Sequence, residues 1–583
     1  MMASQESCYI ALLGLAEHFR SSSPPDILKC IQCLQAVLTI KLPPKVEART
    51  HFQIGSVLHT YTKNLDLAIQ HLEQAWNISC KSKIDDDFVF KAASTLADHY
   101  LSQGWKHLSI SILKSSVEVS QNSVFWHCRL LFQLAQIYMS EGMYEPSNKL
   151  LGIGVDYARM TSTKYNEVLF LTSRCLVLFI DKNFPDGIDV LEQIHSVLDD
   201  WEGDISQKTY LEGFFLVLKV CHHLALGRVK TAEPFLKRLQ KNILEVMCLS
   251  PDTMDRALKT GTAFSWMPKN HLRVLVYAVT VMHHMQGGCV NKALKYAEKT
   301  LVEISKQKTA KRSHFLDVLE VMCIEHMVMC EIVAGRNCRA LNLISQVRLL
   351  CTNHSTLLEL HSPQLHTLLG LYAMAVDCFA DAELQFKTAM DLSVNEELKT
   401  FLNLNLAVLY ITENRKSGMN DLLMNINPAN FPSCSQSMKT AAYLIFGLLE
   451  LLEGRYNDAT KFFKEVVKMA NAEYTRRLTS CSLVLLGHVY LTQDMRQECL
   501  GILTAAMELI CTTGDVLVRL RALSVFKELY KISLDAQSEA KSSETHSSLS
   551  EALVLDRSQA LKMPEHSLVY WTSGDVPPYS SCD

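Results

Sequence analysis

The sequence predicts an all-α fold: a TPR-like helical-repeat solenoid, or superhelix, of about twelve helix-turn-helix units. Three observations predict it. Gly (22) and Pro (15) are scarce for 583 residues, against roughly 12% together in average usage, and strand-rich folds need both for turns. Apolar residues make up 48% of the chain, enough to bury large cores. One pattern also recurs along most of the chain. It has Leu-Gly or Leu-Ala, often a Tyr three residues on, a turn, and a small residue twelve after the Gly or Ala.

In chain order, the small anchors are Gly14, Gly55, Ala97, Ala135, Cys175, Val220, Val281, Val328, Gly370, Ala407, Gly447 and Gly487. The clearest copy is Leu369-Gly370, Asp377, Ala382, Phe386, Ala389. The units at Gly447 (Gly454, Ala459, Phe463, Val466) and Gly487 (Tyr490, Asp494, Cys499, Leu503, Ala506) keep its offsets. This pattern resembles the tetratricopeptide helix-turn-helix. Two helices cross closely, so a small residue is expected where they touch, Gly370 against Ala382. Phe386 is expected to fill the gap to the next unit. Turn positions take Gly, Asp or Asn (Gly454, Asp494, Asn414), which tolerate left-handed backbone.

The repeats predict a superhelix over 1–530. The step from Val220 to Val281 is long, and Ser250-Pro251-Asp252 and Met267-Pro268 mark an insertion over about 242–270. Residues 531–561 read as a polar linker, because Gln537–Ser550 is rich in Ser, Glu and Lys. Residues 562–583 form a C-terminal tail. Its Tyr570-Trp571 is expected to pack back on the last repeat, with a docking segment as the other reading.

Several function classes are excluded. The net charge is −4, and a protein that binds nucleic acid through phosphate contacts usually carries a basic surplus. No glycine-rich phosphate loop, G-x-S-x-G elbow or H-E-x-x-H is present, so no enzyme, cofactor, metal or small-molecule substrate is expected. No apolar run approaches the ~20 residues of a membrane span, and no membrane association is expected. The polar start Met1–Ser7 and the odd, scattered cysteines (19) point to a reduced, intracellular protein. Cys30-x-x-Cys33 reads as two small residues on a buried helix face, lacking the second pair a zinc site requires. His222-His223 and His283-His284 sit near helix ends, where a charged His complements the dipole. Lys306–Arg312 reads as a solvated basic helix end, with a weak nuclear signal or phosphate contact as the alternative.

Apolarity on two sides of one helix is the most informative feature. Ala441–Leu452 carries one charge, Glu450. Tyr443, Phe446 and Gly447 form the stripe expected to face the second helix of the unit. Leu444, Leu448 and Leu451 form another stripe, expected to line the inside of the solenoid. Phe401, Leu404, Val408 and Ile411 repeat it in the preceding unit, and Val484, His488 and Leu491 in the following one. A helix apolar all round is buried all round. Either the superhelix is wound onto itself, or another chain fills it. The second reading makes these ten residues a groove for an extended partner segment.

Longer strings carry a resemblance. Ala11–Arg20 (ALLGLAEHFR) with Ser22-Ser23-Pro24-Pro25, Trp126–Gln136 (WHCRLLFQLAQ), Gln364–Tyr372 (QLHTLLGLY), Arg477–His488 (RLTSCSLVLLGH) and Pro564–Gly574 (PEHSLVYWTSG) resemble the metazoan MAU-type chromatid cohesion factors, the TPR-repeat small subunits of the cohesin loader. The resemblance spans nearly the whole chain and is weakest over 242–270 and 535–561. It implies a nuclear, chromatin-associated, non-catalytic subunit. Its superhelix would wrap the N-terminal segment of a Nipped-B/NIPBL-like HEAT-repeat partner. It would meet cohesin indirectly and chromatin through the complex, promoting cohesin loading and sister-chromatid cohesion. A general TPR adaptor for another extended partner is the alternative.

Overall fold

The computed structural model describes residues 2–40, 43–62, 64–82, 84, 87–248, 267–310, 313–352, 355–415, 417–430 and 436–572. Among them every regular element is a helix. The chain divides into two compact units. Unit 1 is Met1–Phe215 with Leu249–Trp266; unit 2 is Leu216–Cys248 with Met267–Asp583.

Unit 1 contains five successive pairs: α1 (Met2–Ser21) and α2 (Ile27–Leu38), α3 (Pro44–Tyr61) and α4 (Leu65–Lys81), α5 (Asp87–Ser102) and α6 (Lys106–Val119), α7 (Val124–Ser140) and α8 (Tyr144–Met160), α9 (Lys164–Ile180) and α10 (Phe184–Asp199). Then come α11 (Ile205–Ala225) and α12 (Val229–Cys248). Unit 2 continues with α13 (Lys269–Gln286) and α14 (Val290–Ala310), α15 (His314–Val333) and α16 (Asn337–Thr352), α17 (Ser355–Ala375) and α18 (Phe379–Leu392), α19 (Glu396–Thr412) and α20 (Met419–Asn425). It ends with α21 (Gln436–Leu452) and α22 (Tyr456–Ala472), α23 (Arg476–Thr492) and α24 (Arg496–Thr513), α25 (Val516–Ile532) and α26 (Ala536–Ala560). Each of the twelve sequence anchors falls on the first helix of a pair.

The anchors work somewhat differently from the expectation. A Cβ on Gly370 would sit 2.5 Å from the Phe386 ring. The glycine therefore makes room for Phe386, one helical turn beyond the expected partner Ala382. Gly447 faces Phe463 and Gly487 faces Leu503 in the same way, at 2.6 and 2.9 Å. In unit 1 the small residue twelve positions after the anchor has a second task. Ser109 and Ser147, both buried, donate their hydroxyls to the carbonyls of Ala97 and Ala135 at 2.9 and 3.0 Å. A close helix crossing is thus pinned by a hydrogen bond inside the core, where an unmade one is costly. The turn residues Gly104, Gly142, Gly227, Gly288, Gly335, Asp377, Asn414, Gly454 and Asp494 all have positive φ, as their residue types predicted.

Unit 2 packs onto itself. Gln436 donates its N–H to the Leu226 carbonyl at 3.2 Å. Lys230 lies over the Tyr474 ring, 4.9 Å from its centroid. The Arg476 guanidinium reaches the Cys289 sulfur, and a Cβ on Gly288 would lie 3.0 Å from the Arg477 nitrogen. Gly335 abuts Leu553 and Val516, and Arg557 pairs with Asp377. Four left-handed turns thus meet, in the same order, α21, α23, α25 with α26, and α26 alone. Of the two explanations for a dry interior, self-packing therefore operates within unit 2.

Two segments differ from expectation. The polar linker is the helix α26, which pairs with α25 and adds a thirteenth pair. Asp535 caps it by accepting the Ser538 N–H at 3.1 Å, and Leu553 and Ala560 are its buried residues. The tail packs back, but on α16–α18 rather than the last repeat; Leu568, Val569 and Trp571 join that core. Of the expected insertion, 242–248 completes α12, 269–270 begins α13, and 249–266 lie outside the described residues. Tail residues 573–583 lie outside them as well.

Candidate functional site

On α3, α5 and α7, the first helices of three unit 1 pairs, one stripe carries small and polar residues. Relative to the anchor, this stripe lies two residues before, one after and five after. It reads Gln53, Ser56, Thr60 on α3; Thr95, Asp98, Ser102 on α5; and Gln133, Gln136 on α7. The spacing places these side chains on one helix face, away from the faces packed against neighbouring helices.

The structure makes this stripe a row of open clefts. One of about 480 Å³ lies between α1 and α3, lined by Leu13, Arg20, Gln53, Ser56, Thr60 and Lys91 among others. The next, about 380 Å³, lies between α3 and α5 and shares Ser56, Thr60 and Lys91. The third, also about 380 Å³, lies among α5, α7, α8 and α9 and is reached through the shared Asp98. Leu151 and Val177 contribute its apolar walls.

A fixed polar network spans the middle of the row. The Gln133 side-chain amide donates to the Ser94 carbonyl at 2.9 Å and to Asp98 Oδ1 at 2.6 Å. The Ser94 hydroxyl donates back to Gln133 Oε1 at 2.9 Å. Burial raises the Asp98 pKa, opposed by the Gln133 hydrogen bond and by Arg129 and His59. Phe132 is held by stacking on Phe170, centroids 4.0 Å apart and nearly parallel, and the Lys91 ammonium lies 5.7 Å from the Phe52 ring centroid. Rigid apolar walls with hydrogen-bonding groups along one edge suit an extended peptide. Its backbone can pair with Gln and Ser side chains, and its apolar side chains can enter the clefts.

The ten residues expected to line a groove lie in unit 2. Leu404 and Val484 are buried in the core. Val408 and Ile411 pack against a cluster containing Ala442 and Ile445. Leu444, Leu448, Leu451 and Leu491 pack, partly buried, against Phe463, Leu485, Val489 and Phe526. Phe401 and His488 are half-buried, and burial lowers the His488 pKa. The cleft positions of unit 1 give the reason. Leu404, Leu444 and Val484 stand three residues before their anchors, and Ile411, Leu451 and Leu491 four after. Each is one residue, about 100° of helix, off the stripe that lines clefts. Val408, Leu448 and His488 fall on it.

The histidine doublets are governed by burial rather than by the helix dipole. Burial lowers the pKa of His222 and His283, and takes His223 and His284 down to about 4, so all four are neutral at pH 7. Lys308 of the basic run pairs with Asp317 and Glu320, and Lys311 and Arg312 lie outside the described residues. Cys30 is buried and Cys33 half-buried on α2, both unpaired. Among the described residues, no three His, Cys, Asp or Glu side chains converge as metal ligands, and no helix is long and apolar enough to cross a membrane.

The family model for the cohesin loading factor matches residues 8–537. The MAU2 chromatid cohesion factor homolog of Aedes aegypti is 41% identical over 582 residues, covering 99% of this chain and 94% of its own length. The homolog from Drosophila virilis is 42% identical over 580 residues, covering 99% and 93%. Among solved structures, Scc4 in complex with Scc2n is similar in fold, with a TM-score of 0.55 at 12% identity over 94% of this chain and 99% of that one.

Proposed function

The chain belongs to the cohesin loading factor family, and we propose that its solenoid holds the extended N-terminal segment of a Nipped-B/NIPBL-like HEAT-repeat partner. The chain is non-catalytic. In this reading it meets cohesin and chromatin through that partner, in the nucleus, and promotes cohesin loading and sister-chromatid cohesion.

The observation that carries this reading is the row of clefts in unit 1. They share lining residues from α1 to α9, so a single extended strand can run through them. Crossing five helices at about 10 Å each takes on the order of 15 extended residues at about 3.3 Å per residue. The complex of Scc4 with Scc2n shows a similar fold in a two-protein assembly. In unit 2 the positions equivalent to the cleft stripe include Val408, Leu448 and His488. They are the part of the expected groove that this reading retains.

Co-purification with the partner's N-terminal segment tests it. Ser56→Arg combined with Gln136→Arg fills two clefts from positions outside the core. The double variant should lose the segment while keeping the wild-type far-UV CD spectrum and melting temperature. Full retention of the segment by the folded variant would place binding elsewhere.

A further inference from the structure

The C-terminal segment occupies a built receptor. Gln385 is fully buried on α18, and its side-chain amide donates to the carbonyls of Val569 and Trp571 at 2.7 and 2.6 Å. That amide is pre-oriented, because Gln385 Oε1 is held by His366 Nδ1 on α17 at 2.7 Å. Burial lowers the His366 pKa, and the ring stacks on the Trp571 indole, centroids 4.4 Å apart and 25° from parallel. The Tyr372 hydroxyl pairs with His566 Nδ1 at 3.1 Å. Leu568 and Val569 sit against Tyr372, Ala382 and Phe386 in one core cluster, whereas Tyr570, between Val569 and Trp571, is 62% exposed. The Leu-Val-x-Trp pattern is therefore read side chain by side chain, and two of its backbone carbonyls are read by one glutamine. The helix leading to it is tied to the same region. The Asp556 carboxylate accepts the Asn337 N–H at 2.6 Å, and Arg557 pairs with Asp377.

Residues 564–570 form a 3₁₀-helix, whose last carbonyls lack intrahelical donors; a buried amide that supplies those donors, beside an aromatic slot, recognises a short helical peptide end. We infer that the surface formed by α16–α18 is a peptide-recognition site for short apolar Leu-Val-x-Trp sequences. The chain's own residues 564–571 fill it, and so act as a clasp closing unit 2. The clasp ties the end of the repeat array to residues 337–389, across the turn-to-helix contacts of Gly335 and Asp377. Losing it should loosen α16–α18, α26 and those contacts together, and leave the site open to a second copy of the sequence.

The full-length chain carrying Trp571→Ala tests this, with a fluorescent peptide of residues 562–572 as probe. The variant should bind the peptide saturably, and the wild-type chain at least ten-fold more weakly because its site is filled. A peptide with Ala at the Trp571 position should not bind. Gln385→Met, which removes both amide donors at similar size, should abolish peptide binding when added to the Trp571→Ala chain. Hydrogen exchange should quicken in residues 337–392 and 536–571 of the Trp571→Ala chain and stay unchanged in α1–α10. Tyr570→Ala, at the exposed position, should behave as wild type. Should Trp571→Ala fail to fold, the single Gln385→Met variant carries the exchange measurement. Equal peptide binding by wild type and Trp571→Ala, or unchanged exchange in residues 337–392 in the folded variant, would overturn the inference.

Discussion

Two glycines two residues apart on α8 should respond to the same substitution with opposite signs. Gly152 has nothing within 4 Å of where a Cβ would stand. Gly152→Ala therefore only removes backbone entropy from the unfolded chain, and should stabilise by about 0.5–1 kcal/mol. A Cβ on Gly154 would lie 2.3 Å from Phe170 Cε1, where carbon atoms prefer about 3.5–4 Å. The ring would have to retreat by roughly 1 Å. It is fully buried and stacked at 4.0 Å on Phe132, so it can retreat only by displacing its neighbours. Overpacking of this kind costs about 1–3 kcal/mol. Set against the same entropic gain, Gly154→Ala should destabilise by about 1–2 kcal/mol. At roughly 2–4 °C per kcal/mol for 150–250 residues, the two variants should melt several degrees apart when followed by CD. Phe170→Leu on the Gly154→Ala background should recover part of the loss, giving a coupling energy in the double-mutant cycle. Refutation would be a Gly154→Ala chain that melts as high as Gly152→Ala. That result would mean the helices do not cross as closely as this packing requires.

Gly335 (φ +71°) abuts Leu553 at 3.1 Å, whereas Gly454 (φ +75°) faces open space. Both Ala variants should be strained by about 1–2 kcal/mol, but only Gly335→Ala should quicken hydrogen exchange in α26. Burial lowers the folded-state pKa of His222, His223, His283 and His284, to about 4 for His223 and His284. The unfolded chain therefore binds more protons between about 6.5 and 4. Their contribution is complete above about pH 6.5 and is lost as pH falls toward 4, so melting at pH 5 should be clearly lower than at pH 7.5. With a net charge of −4, the isolated chain should bind duplex DNA only in the non-specific range of about 10⁻⁴–10⁻⁶ M at physiological salt. Fluorescence anisotropy giving ~10⁻⁸ M would contradict this.

The repeat architecture was legible because its signals are local. Small anchors place twelve first helices, and a Gly, Asp or Asn at a fixed offset marks nine of their left-handed turns. Three other features were hidden for physical reasons. The inner stripe of unit 2 was ambiguous in sequence, because apolarity there marks contact with the neighbouring helix as strongly as it marks an inner face. Leu444 and Leu451 are apolar because they pack on the cluster around Leu485 and Val489. In unit 1 the clefts set apolar walls such as Leu151 and Val177 beside an edge of Ser, Thr, Gln and Asp, which a search for apolar stripes passes over. Residues 536–560 looked like a linker because a helix with only Leu553 and Ala560 buried has a solvated composition. The Asp535 cap and the seven-residue step from Leu553 to Ala560 were the available signals. Docking of Trp571 on His366 and Gln385 joins residues 205 and 186 positions apart in sequence, and no local pattern encodes that.

The proposed function turns on an extended partner segment lying in the clefts of unit 1. Hydrogen exchange of the full-length chain, with and without the partner's N-terminal segment, tests it most directly. Exchange should slow along α3, α5 and α7, the helices carrying Ser56, Asp98 and Gln133, and slow less in the Ser56→Arg/Gln136→Arg chain. Saturating binding that leaves exchange in those three helices unchanged would contradict it.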